Sequence, residues 1–85
     1  MIEKSVQIKL EGGLEARPVA VLVQVASQYD SSVYIQSENK KVNAKSIMGM
    51  MGLGLAMGET VTVIADGSDE EAAVAGIEDF LSGNQ

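Results

Sequence analysis

Eighty-five residues suffice for one domain, 1–85, whose core is thin because so small a chain buries only about 60–65% of its unfolded surface. The chain is 46% hydrophobic, as a folded globule is, and it has no cysteine and no histidine, which excludes a disulfide framework, a zinc finger, a thiolate nucleophile, a Ser-His-Asp triad and a phosphohistidine. Twelve acids stand against six bases, and a net charge of −6 with only Tyr29, Tyr34 and Phe80 as aromatics argues against direct nucleic-acid binding.

The first predicted strand is Glu3–Leu10, where Val6, Ile8 and Leu10 alternate with Ser5, Gln7 and Lys9, and Gly12–Gly13 ends it. A helix begins near Pro18, tolerated in a first turn, and runs to about Tyr29. Val19, Leu22, Val23 and Ala26 form its buried stripe, while Ala20, Gln24 and Ser27 lie on a more polar face. Asp30–Ser32 is a turn. Val33–Ser37 and Lys40–Asn43 read as a hairpin around Glu38-Asn39. A short helix from Ser46 to about Leu53 follows, capped by Ser46 and weakened by glycines. After Gly58, Thr60–Ala65 is a β-branched strand. The last helix starts at a predicted capping box, Ser68-Asp69-Glu70-Glu71, buries Ala73, Ile77, Phe80 and Leu81, and ends at Gly83. The order βαββαβα, with one apolar face per strand, predicts an α+β open-faced β-sandwich: a four-stranded antiparallel sheet with three helices on one face.

Charge is uneven along the chain. Residues 1–45 hold all six bases, and residues 46–85 hold seven acids and none. Met1–Leu10 has no signal-peptide pattern, and the longest apolar stretch, Ile47–Met57, is about half of the roughly 20 residues that a membrane span needs. A cytoplasmic location without membrane insertion is the expectation.

Two segments could carry function. Gly13-Leu14-Glu15-Ala16-Arg17-Pro18 stands at a helix start, where free N–H groups, the dipole and Arg17 would suit an anion; a capped helix with a solvated arginine is the alternative. Lys45-Ser46-Ile47-Met48-Gly49-Met50-Met51 opens a stretch holding four of the five methionines, Met48–Met57. Methionine is over-used on adaptable binding surfaces, but it also fills core gaps, and Ser46 could serve as a cap alone. Ile47, Met48 and Met51 are expected to be accessible, with Met50, Leu53 and Leu55 facing the core.

On these segments the chain resembles HPr, the small phosphocarrier of the bacterial sugar phosphotransferase system. Gly13-Leu14-x-Ala16-Arg17-Pro18 looks like the family's active-site signature, and Val42-Asn43-Ala44-Lys45-Ser46-Ile47-Met48-Gly49 like its regulatory-serine signature. Leu22-Val23-Gln24, Ala26-Ser27, Tyr29-Asp30 and Gly67 before Asp69-Glu70-Glu71-Ala72 extend the match over nearly the whole chain. The resemblance implies the same sheet-and-three-helix fold, and no cofactor or metal.

One departure bears on function. The family's phosphorylated histidine falls on Glu15, and a carboxylate cannot form the phosphoramidate that carrier chemistry uses. Glu15 is compatible with the catabolite-repression branch, which lacks the histidine, keeps the serine and usually carries glutamine there. It is also compatible with an engineered stand-in for phosphohistidine in an ordinary HPr. The resemblance then implies a regulatory adaptor and not an enzyme: a serine kinase/phosphorylase modifies Ser46, and the product binds a LacI-type catabolite-control repressor through Arg17, Ala20, Gln24, Ile47, Met48 and Met51. The alternative is a phosphocarrier passing phosphoryl groups from enzyme I to sugar permease subunits. An accessory domain that keeps only the scaffold is a third reading.

Overall fold

Alternating apolar residues and β-branched runs build four strands, and three amphipathic segments cover one side of them. The computed structural model describes residues 1–9, 16–53 and 57–83, with the side chains of all but 16 and 17. Leu10, the Gly12–Gly13 turn, Glu15, the Arg17 side chain and Leu55 lie outside the described residues. The elements are β1 (Ile2–Gln7), α1 (Ala16–Ser27), β2 (Ser32–Ser37), β3 (Lys40–Asn43), α2 (Ile47–Met51), β4 (Thr60–Asp66) and α3 (Glu70–Leu81). The sheet runs β1-β4-β2-β3, and each pair is antiparallel. This is the predicted α+β open-faced sandwich.

Register sorts the two faces. Val6 pairs with Val61, Val33 with Ala65 and Ile35 with Val63, and all six point into the core. The three helices cover that face with Val19, Leu22 and Ala26 from α1, Met50 from α2, and Ala73, Val74, Ile77, Phe80 and Leu81 from α3. The other face is polar except at Ile64, which is buried between its cross-strand neighbours Glu3 and Tyr34. Lys41 lies 4.7 Å from the centre of the Tyr34 ring on this face. Lys4 reaches from the edge strand to Glu78 on α3 at 2.8 Å.

Element ends differ from the sequence reading for local reasons. β1 stops at Gln7, yet Ile8 still donates to Glu59 and accepts from Gly58, so the chain keeps a partner as the ladder breaks. α1 ends at Ser27 because Gln28 and Tyr29 bond back only three residues, to Val25 and Ala26, tightening the last turn. β4 runs one residue further, to Asp66. Gly83, at φ +80°, ends α3 as expected.

The start of α3 corrects the predicted capping box. The N-cap is Asp69, not Ser68, and its side chain caps nothing. Its carboxylate instead accepts from the amides of Asp30 and Ser31, both at 2.9 Å, and from the Ser31 hydroxyl at 2.5 Å. Ser31 is buried, so without Asp69 its polar groups would stand unpaired. Glu70 accepts from the Gly67 amide at 3.2 Å and pairs with the Met1 amine at 3.0 Å. Gly67 lies so close to the turn that a Cβ there would sit 2.6 Å from both Cα and Oγ of Ser31.

These bonds set the acid response. The Ser31 hydroxyl first, then the Asp30 amide, hold the Asp69 carboxyl below its ordinary range, and the Gly67 amide does the same for Glu70. A carboxyl whose folded value is depressed stabilises the fold above its unfolded value, and that contribution disappears as pH falls through the folded value. Stability should therefore fall from about pH 4 downward, and Asp69→Asn should be less stable at neutral pH with a flatter acid limb in urea titrations. Gly67→Ala should lose about 1–3 kcal/mol, since the added methyl group meets backbone as well as side chain.

Candidate functional site

The segment Val42–Gly49, which resembles the regulatory-serine signature, occupies the turn from β3 into α2. Asn43 closes the strand, and its Oδ1 accepts from the Lys45 amide at 2.8 Å, while its carbonyl accepts from the Ser46 amide at 3.0 Å. Ser46 follows in extended conformation and is the N-cap that the sequence predicts: its hydroxyl accepts from the Gly49 amide at 3.3 Å, and its carbonyl accepts from the Met50 amide at 3.0 Å. The remaining first-turn amides of α2 have no acceptor within the helix. Ser46 is half-buried.

α2 is barely longer than one turn, and its 100° step per residue splits its apolar side chains between two faces. Met50 is fully buried, while Ile47, Met48 and Met51 are 44%, 84% and 52% exposed. Leu53, just past the helix, is half-buried against the core. The sequence expectation for these five residues is met. α1 packs against α2 and brings Ala20, half-buried, and Gln24, exposed, to the helical side of the sheet. Exposed Val21 is a further apolar residue on α1 that the sequence reading did not single out.

Lys45 departs from expectation. Sequence adjacency puts its charge beside Ser46, but the amine donates to the Tyr29 carbonyl at 2.7 Å, just past the end of α1. There it meets the negative pole of α1 and ties the serine turn to that helix. Asn43 and Tyr29 are thus parts of the site that sequence reasoning missed. Asn three residues before a helix cap is a legible turn signal; a backbone carbonyl 16 residues away from its lysine is not.

Among the described residues, no group of three acids is placed to hold a metal ion, and no helix is long and apolar enough to cross a membrane.

Three comparisons bear on this arrangement. The family described as PTS HPr component phosphorylation site matches residues 2–83. The HPr-like protein Crh of Halalkalibacterium halodurans is 47% identical over 81 residues, 95% of this chain and 96% of that protein. Among solved structures, the phosphocarrier protein HPr of Bacillus anthracis superimposes with a TM-score of 0.92 at 40% identity, covering 94% of this chain and 95% of that one. The solution structure of Crh, the Bacillus subtilis catabolite repression HPr, does so with a TM-score of 0.71 at 42% identity, covering 94% and 95%.

The split of α2 predicts opposite responses to charge. Met51→Lys should leave thermal stability nearly unchanged, within about 0.5 kcal/mol, because the ammonium stays in water. Met50→Lys should lose several kcal/mol or fail to fold, because it buries an unpaired charge. Thermal melts of the two variants side by side check this.

Proposed function

The chain belongs to the HPr family, in the branch of the HPr-like protein Crh, and on that premise we propose that it is a regulatory adaptor of carbon catabolite repression in the bacterial cytoplasm. A serine kinase/phosphorylase modifies Ser46. The phosphorylated chain then binds a LacI-type catabolite-control repressor, which touches the DNA in its place. The observation that carries this reading is the Ser46 hydroxyl at the cap of α2 with Ile47, Met48 and Met51 exposed on the turn that follows.

Phosphate on Ser46 adds about −1.5 to −2 charge at the positive end of α2. The dipole and the first-turn amides favour that charge by about 0.3–1 kcal/mol, so the fold stays as it is. Lys45 contributes little, since its amine is already bound to Tyr29. The phosphate charge therefore remains available to a partner's arginine or lysine, beside an apolar patch that supplies contact area. Ala20, Gln24 and, by family correspondence, Arg17 extend the docking surface along α1. The chain is in this scheme a substrate and a ligand, not an enzyme.

Glu15 separates the adaptor from the carrier. The carrier route forms a bond between phosphorus and an imidazole nitrogen, and Glu15 has none to offer. Incubation with enzyme I and phosphoenolpyruvate should leave the intact mass unchanged, and Glu15→His should restore phosphoryl acceptance. Labelling of the parent chain at Glu15 would overturn the adaptor reading in favour of the carrier.

Ser46→Ala should abolish modification by the kinase and lose about 1 kcal/mol of capping energy while keeping the fold. The decisive titration compares repressor affinity with and without phosphate on Ser46. Affinities equal within about twofold would remove the mechanism, since a charge-assisted contact is worth more than that.

A further inference from the structure

The sulfur chemistry of α2 is unusual for so small a domain. The chain has five methionines and no cysteine or tryptophan, so thioethers are its only oxidisable sulfur. Two of them, Met48 and Met51, stand exposed on the short helix that begins at Ser46, and Met57 is 60% exposed a few residues later. Met50, between the exposed pair, is fully buried in the core. One turn of helix therefore places two thioethers in water and one out of reach of it.

We propose that Met48 and Met51 form an oxidation site at which a hydroperoxide converts the apolar face of α2 into a polar one and so releases the LacI-type repressor docked there. The docking part rests on the adaptor reading above; the oxidation part does not. A thioether lone pair attacks the terminal peroxide oxygen, the O–O bond breaks and an S–O bond forms. Sulfur is oxidised by two electrons, and the peroxide is reduced to water or an alcohol, which takes up the proton. The product is a sulfoxide, a polar group with a strong acceptor oxygen in place of a soft apolar sulfur. A sulfoxide reductase with a dithiol reductant reverses the step, giving back the thioether with a disulfide and water. Because Met50 is sealed in the core, the change stays on the surface and leaves the fold intact.

The test treats the folded chain with hydrogen peroxide and maps sulfoxides by peptide mass against time. Met48 and Met51 should oxidise at least about tenfold faster than Met50, because access controls the rate. Met50 oxidising as fast as its neighbours would overturn the proposal. The second arm compares the parent chain and Met48→Leu/Met51→Leu, each with itself before and after peroxide. Retention on a phenyl column reports apolar surface without any partner, and titration of the Ser46-phosphorylated chain with the LacI-type repressor reports docking. In the parent, peroxide should shorten retention and weaken repressor binding by about tenfold or more, as loss of central contacts does. In the double variant, whatever its own affinity, both should change by less than about twofold, since only Met1 and Met57 remain open to oxidation. Equal losses in parent and variant, or full affinity in the oxidised parent, would overturn the proposal. If the untreated parent does not bind the repressor, the adaptor reading fails; the phenyl-column difference between parent and variant then decides the oxidation site alone.

Discussion

Three consecutive residues, Tyr29, Asp30 and Ser31, follow α1 and must turn into β2, and the fold hangs on how their backbone groups are satisfied. Asp69 takes the two amides and the buried Ser31 hydroxyl, and Lys45 takes the Tyr29 carbonyl. A carboxylate and an ammonium thus grip one turn from two different parts of the chain. Charge-assisted bonds of this kind are stronger than neutral ones, and the turn is where a short domain has least apolar area to spare. Once the turn is fixed, so is the end of α1 over α3, where the Tyr29 hydroxyl lies against Gly76 in the middle of the helix. The functional turn inherits its position from the same place, because Lys45 immediately precedes Ser46.

This explains what could and could not be read from the residues alone. Periodicity placed all seven elements, because alternation and helical stripes are properties of neighbouring residues: Val6 and Ile8 on one strand, Val19, Leu22 and Ala26 on one helix. The Ser46 cap was legible for the same reason, its partner Gly49 being three residues away. The capping box was not, although the pattern Ser68-x-x-Glu71 is present. Asp69 finds better partners 38 and 39 residues distant, and no local rule registers that competition. Lys45 was misplaced by the same blindness. Sequence neighbours are spatial neighbours for main chain but not for the end of a four-carbon side chain. Glu15 stands outside the described residues, so for that position the family pattern remains the sole guide.

The helices of this scaffold begin at separate points of the chain yet pack together. In the phosphocarrier pattern the reactive residue precedes α1; in the serine pattern it caps α2; and α1 and α2 are in contact. The thirteen residues between Leu53 and Gly67 include β4, whose Val61, Val63 and Ala65 lie in the core beneath the helices.

The position of β4 has a consequence for how the chain comes to exist at all. Among the described strands it comes last in sequence and is the one that pairs with both β1 and β2. As the polypeptide leaves the ribosome, β2 and β3 can zip as a hairpin, but β1 has no neighbour until residue 60 and beyond have emerged. β1 therefore waits, unpaired, until β4 has emerged, and the Ser46 turn already hangs from the hairpin while the core beneath it is unfinished. Any truncated product that lacks β4 would hold the Ser46 turn on the hairpin alone, without the central strand on which the core is built.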